Sequence, residues 1–208
     1  YARSFSNSIH VGFLLRVINE SIADVSATGV GIDMGIQYVT GPKDNIHFGI
    51  SLRNVGTPMR FSGDGLAIPL DEPSENYLIT VNQRAEKFEL PSTLNIGGAY
   101  DIKLAEDKHR ITLLGNFTSN SFSRDYMGGG IEYAFREMFM LRGAYRYENG
   151  INGNLDFDER ASAETGLSAG VGIHVPIRGG ASKLGVDYSF RATSPYAGTH
   201  TVGISISL

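Results

Sequence analysis

Gly166-Leu167-Ser168-Ala169-Gly170 has the G-x-S-x-G spacing of a serine nucleophile. That chemistry needs a sharp strand-to-helix turn that lifts the hydroxyl out of the sheet. Here Val171-Gly172-Ile173-His174-Val175 continues the alternation of a strand, so Ser168 reads as a small side chain on one strand face. His174 shares that face but stands six residues along, roughly 20 Å away in an extended chain and too far to serve as its base. The five histidines, His10, His47, His109, His174 and His200, are scattered, and none sits at zinc-ligand spacing from another. Asn152, Asn154, Asp156 and Asp158 alternate oxygen ligands, but the glycine and closing glutamate of a calcium loop are missing. They read as a solvated acidic loop. Gly128-Gly129-Gly130 is followed by no helix and is no phosphate loop. The absence of cysteine excludes disulfides, thiol catalysis and cysteine-bound metals. A net charge of −4 gives no reason to expect nucleic acid. No cofactor is expected, and the chain does not read as an enzyme.

The elements that carry these residues repeat every two positions. Ile46, Phe48, Ile50 and Leu52 are apolar, and His47, Gly49, Ser51 and Arg53 lie between them. Successive side chains of a strand point to opposite faces, so the segment has one apolar and one polar face. About ten segments follow this rule: 9–18, 29–39, 45–53, 92–103, 109–118, 126–135, 138–147, 165–175, 182–191 and 199–208. The first is the least regular, since Leu14 and Ile18 fall on its polar side. The fold expected is all-β and antiparallel, one domain over 1–208. No apolar run approaches the eighteen or so residues of a membrane helix, but a β-barrel conceals its lipid face in every second residue.

The connections sort by end. Those near 40–44, 104–108, 136–137 and 176–181 are short; those near 19–28, 54–91, 119–125, 148–164 and 192–198 are mostly longer. Consecutive antiparallel strands put alternate loops on opposite ends, so both very long loops, about 54–91 and 148–164, share one end. Outer-membrane barrels have this asymmetry, with short periplasmic turns and long extracellular loops. Aromatic residues of the apolar face gather near both ends. Tyr38, Phe48, Tyr100, Phe135 and Phe139 lie toward the short turns, and Phe117, Tyr145, Tyr147, Tyr188 and Phe190 toward the long loops, as interfacial girdles would. The final segment, Thr199 to Leu208, alternates to its apolar end, as a closing strand does. Inward charges Arg53, Glu132, Arg142, Lys183 and Asp187 would line a pore or form a paired plug. The reading is a transmembrane β-barrel of a Gram-negative outer membrane.

The connection from Asn54 to Pro91 is too long for a plain turn. It carries apolar residues that a solvated loop does not need: Met59, Phe61, Leu66, Ile68 and Leu70. Its second half, from Tyr77 to Val81, has the makings of a short β-excursion. A docking surface for a partner and a self-packed lid are both open readings.

Several stretches resemble the PorV/PorQ family of Bacteroidetes outer-membrane proteins. These are Ile22-Ala23-Asp24-Val25-Ser26-Ala27-Thr28-Gly29 and Phe48-Gly49-Ile50-Ser51-Leu52-Arg53-Asn54-Val55-Gly56. Phe88-Glu89-Leu90-Pro91, Asn116-Phe117-Thr118-Ser119-Asn120-Ser121-Phe122, and Phe139-Met140-Leu141-Arg142-Gly143-Ala144-Tyr145-Arg146-Tyr147 are similar to PorV more narrowly, as is the run from Asp187 to His200. The resemblance implies a fatty-acid-transporter-type barrel of fourteen strands. The chain would then lack an N-terminal part, in keeping with its start at Tyr1. It further implies a non-enzymatic component of the type IX secretion system. Its partners would be a giant translocon barrel, the C-terminal domains of secreted cargo, a sortase-containing attachment complex and outer-membrane lipid. A transporter of hydrophobic small molecules such as fatty acids is the alternative. The resemblance assigns no cargo-contact residues; the 54–91 loop is the candidate from the sequence itself.

Overall fold

The structure, a computed structural model, describes residues 1–71, 78–105, 108–151, 163–177 and 182–207. Its strands are β1 (Ala2–Ser4), β2 (Ile9–Ile22), β3 (Val25–Thr40), β4 (Ile46–Gly56), β5 (Ala67–Asp71), β6 (Leu78–Asn82) and β7 (Thr93–Leu104). β8 (His109–Asn120), β9 (Tyr126–Phe135), β10 (Phe139–Glu148), β11 (Glu164–Ile177), β12 (Ser182–Thr193) and β13 (Thr199–Ser207) follow. One 3₁₀ turn, Asp64–Leu66, is the only helical element among the described residues. Eleven strands form a single sheet in the order β1-β2-β3-β4-β7-β8-β9-β10-β11-β12-β13, and β5 pairs with β6 apart from it. All pairings are antiparallel. The all-β, antiparallel expectation is borne out, and each of the ten expected segments is a strand.

The register keeps like faces together across the sheet. Ile36 opposes Ile50, Ile50 opposes Ile96, and Ile96 opposes Phe117 on the apolar face. On the polar face Asp101 opposes Thr112, Thr112 opposes Glu132, and Glu132 opposes Arg142. A one-residue slip in any strand would exchange its two faces, so the alternation itself fixes register. Phe48 lies over Gly98, whose missing side chain leaves room for the ring.

What the sheet lacks is an apolar interior. Only Ala27, Met59, Ala134 and Ile151 are buried hydrophobic residues among those described. Leu141 is 59% exposed and Val171 47%, although both lie well inside the sheet. The total accessible surface is 14526 Å². A folded soluble protein of this mass exposes about 9,500 Å². The excess is on the order of 5,000 Å², and the aliphatic and aromatic residues of the apolar face stand among the exposed ones along nearly every strand.

Three features depart from expectation. The connection foreseen over 19–28 is a two-residue turn at Ala23-Asp24, because β2 and β3 run on in register to Ile22 and Val25. Glu20, Ser21 and Ser26 look like loop residues but pair through their backbones, and the Asn19 amide donates to Thr28 Oγ1 at 2.8 Å. β1 is a short added strand against His10–Gly12. β5 is also unforeseen, since Pro69 argues against a strand; a two-stranded ribbon has free edges that tolerate it. The other connections keep their sidedness: 41–45 and 136–138 are short, while 57–92 lies at the opposite end. The sheet ends at β1 and β13, which run in the same sense, and no pairing joins them among the described residues.

Candidate functional site

Strand alternation aims a set of charges onto the polar face, and register makes them neighbours. Arg110, near the start of β8, is only 16% exposed and is ringed by carboxylates. Its Nη2 meets Glu132 Oε1 at 2.8 Å, and Nε and Nη2 donate to the two oxygens of Glu137 at 2.7 and 2.9 Å. Its Nη1 bonds Thr112 Oγ1, whose hydroxyl donates to Asp101 at 2.5 Å. Arg142 continues the chain of charge, donating to Glu132 at 2.6 Å and to Asp187 at 2.7 Å. Asp187 in turn meets His174 Nε2 at 3.1 Å. Negative and positive groups thus alternate over β7 to β12 in one belt near the short turns.

A second group lies toward the long loops. Arg146 contacts Glu164 and stands 3.6 Å from Glu148, while Arg191 donates to Glu164 at 2.9 Å. A third joins β2 to β4. Arg16 donates to Asp33 at 2.8 Å, and Asp33 also accepts the Asn54 amide at 2.7 Å where β4 carries a bulge. Between the first two groups runs a trough of about 370 Å³, lined in part by the small residues Ala144, Ser168, Gly170 and Ser189. The expected inward charges Glu132, Arg142 and Asp187 are therefore brought together. Arg53 and Lys183 make no ion pair among the described residues. Asp101, on the polar face by alternation, joins the paired charges through Arg110, and Arg110 and Glu137 enter the belt without having been foreseen. Ser168 lies within β11 and donates to the Ala144 carbonyl at 3.4 Å, while His174 is engaged by Asp187. The alternating oxygens Asn152, Asn154, Asp156 and Asp158 lie outside the described residues.

Glu137 sits in the turn between β9 and β10. The hydrogen bonds from Arg110 are the main cause that holds its carboxyl below its ordinary value, opposed by partial burial. A carboxyl lowered in the folded state adds stability above its unfolded pKa, and that stability is lost as pH falls through the folded value. Glu137→Gln is thus expected to lower stability modestly at neutral pH, where the carboxylate contributes, and to flatten the fall in stability below about pH 4.3. Urea midpoints against pH would test this; an unchanged acid limb would contradict it.

The 57–92 connection folds back over the long-loop end of β2 and β3. Met59 is 1% exposed and sits where a side chain on Gly29 would be, 2.5 Å from its Cβ position to Met59 Cγ. Met59 pairs by its backbone with Phe88, and Phe61 stacks on Phe88 at 5.4 Å between ring centroids. Ser62 pairs with Ser26 beyond the turn of the long hairpin. Leu66 closes the 3₁₀ turn and is half-buried. Ile68 and Leu70 lie on β5 opposite Val81 and Ile79 and are exposed. So the five candidate contact residues divide: Met59 and Phe61 anchor the loop, Leu66 is half-buried in its turn, and Ile68 and Leu70 form an outward apolar pair. Met59→Ala is expected to loosen this anchor by about 2 kcal/mol or more. Limited proteolysis should then cut within 57–92 much faster while the sheet resists. Unchanged cleavage would mean that Met59 does not hold the loop.

No family model matches the chain, and no curated protein matches it. Its chemistry must therefore be read from its own residues. They offer paired charges on one face, bare apolar surface on the other and an anchored loop at one end.

Proposed function

We propose that the chain is the larger part of an outer-membrane β-barrel that serves type IX protein secretion. The single observation that carries the membrane part is the unpacked apolar face. Water would penalise that face by tens of kcal/mol, at roughly 25 cal/mol per Å², whereas lipid is its natural solvent. The sidedness of the loops supports the same reading, as do the aromatic residues near both strand ends.

A sheet in lipid cannot keep open edges, because its unpaired backbone groups have no water to bond. β1 and β13 run in the same sense, so antiparallel closure requires an odd number of further strands between them. The fourteen-stranded barrel implied by the resemblance meets that condition, since eleven strands leave three to add.

The secretion role is supported by the resemblance alone. In it the protein binds the giant translocon barrel, receives cargo by its C-terminal domain and passes it to the sortase-containing attachment complex at the surface. The 57–92 loop is the candidate contact, with Ile68 and Leu70 its outward apolar residues. The alternative transporter of fatty acids or similar molecules requires an apolar passage. The polar face instead carries ion-paired belts, which favours the first reading, though the trough between them could hold a small ligand. Affinity purification of the tagged complete protein from native outer membranes in mild detergent is the test. Co-purification of a very large barrel protein and of cargo sharing a C-terminal domain is the expected result. Recovery of the protein alone, with only lipid or fatty acid, would favour the transporter.

A further inference from the structure

Two clusters on the apolar face share one arrangement. At the long-loop end, His200 Nδ1 and the Tyr188 hydroxyl are joined by a hydrogen bond of 2.7 Å, and the His200 ring lies 5.1 Å from that of Phe190. At the short-turn end, His109 Nδ1 and the Tyr133 hydroxyl are joined at 2.7 Å, and the His109 ring lies 5.1 Å from that of Phe135. In both, the histidine directly opposes the phenylalanine across the ladder. Amphipathic rings with polar tips at a strand end suit the boundary between hydrocarbon and headgroups.

The clusters differ in one respect. Arg136 follows Phe135 directly, and its guanidinium lies over the Phe135 ring at 5.2 Å from the centroid. The turn that holds it is an uncommon one. Arg136 and Glu137 both have φ of 53°, a left-handed geometry usually given to glycine or asparagine. The turn separates its two charges: Glu137 reaches the polar face and is bound by Arg110, while Arg136 lies over a ring of the apolar face. The Arg136 amide also donates to the Lys108 carbonyl at 2.7 Å, which fixes it to the neighbouring turn. Among the described residues the Arg136 guanidinium has no carboxylate partner. At the other cluster the following arginine, Arg191, is bound to Glu164 on the polar face.

We infer that Arg136, His109 and Tyr133 form a site for the phosphate headgroup of an anionic phospholipid at the short-turn boundary of the apolar face. The inference rests on the membrane reading above. A guanidinium seated over an aromatic ring, 5.2 Å from its centroid, has donors to offer phosphate oxygens. His109, whose ring lies against the same Phe135 ring, has its Nε2 left over from the bond to Tyr133. The acyl chains of such a lipid would lie along the apolar column below, over Tyr133 and Leu141, which oppose each other in the ladder.

The test uses the complete protein and phosphatidylglycerol. Flotation with phosphatidylcholine vesicles containing phosphatidylglycerol comes first. Native mass spectrometry then follows phosphatidylglycerol retained during titration in detergent. Arg136→Gln is expected to weaken retention about fivefold, the contribution of one cation near a headgroup. Arg136→Lys should recover part of it, and His200→Gln, in the cluster without the arginine, should change nothing. Equal retention by wild type and Arg136→Gln in a protein that floats would overturn the site alone. Failure to float with vesicles would overturn the membrane reading and the site with it.

Discussion

Ile131→Arg should strongly destabilise the protein in lipid vesicles. Ile131 stands in the middle of β9, between Leu113 on β8 and Gly143 on β10, on the bare apolar face. An arginine at the midplane of a barrel's lipid face costs about 2–4 kcal/mol. That is a large share of the ~5–15 kcal/mol that separates folded from unfolded protein. The same change on an exposed face of a soluble sheet would be nearly neutral, or would improve solubility. Refolding yield into vesicles and urea midpoints of the complete protein separate the cases. A midpoint equal to that of the wild type would mean that the apolar face does not meet lipid.

Arg110→Met is expected to be about as damaging from the opposite face. It leaves Asp101, Glu132 and Glu137 facing one another without their shared cation. Breaking a buried ion pair from one side costs about 3–5 kcal/mol, and the lower end applies here because Glu137 is partly open to water. The charges left behind, rather than the lost arginine, are the source of that cost. Neutralising Glu132 and Glu137 to glutamine in the Arg110→Met background should therefore restore much of the stability. A double-mutant analysis by urea unfolding would measure it. Purely additive losses would contradict the account of the belt.

The strands were legible because each face is uniform. Val30, Ile32, Met34 and Ile36 alternate with polar or small residues, and such a pattern tolerates no second register. The extension of β2 and β3 was not legible. From Asn19 to Ser21 the side chains are polar on both faces, and backbone pairing rather than burial carries the strand onward. The ion-paired belt was half legible. Glu132, Arg142 and Asp187 were placed on one face by alternation. Their pairing needed cross-strand register, and Arg110 reaches Glu137 across a turn, which no single-strand pattern reveals. Counting polar positions along β8 would have raised Arg110 and Thr112 as candidates. The loop residues could be singled out by composition, but only packing against Gly29 and Phe88 distinguishes Met59 and Phe61 from Ile68 and Leu70.

The central claim is that one face of this sheet meets lipid and the other does not. The absence of native cysteine makes a single-cysteine scan of β10 direct. Spin labels at 139 to 146 in the complete, reconstituted protein would be read for collision with oxygen, which concentrates in lipid, and with a water-soluble nickel complex. The expected result is a two-residue period: oxygen maxima at Phe139, Leu141, Gly143 and Tyr145, and low oxygen values at Met140, Arg142, Ala144 and Arg146. Nickel access as high on the first set as on the second, with no oxygen period, would contradict it.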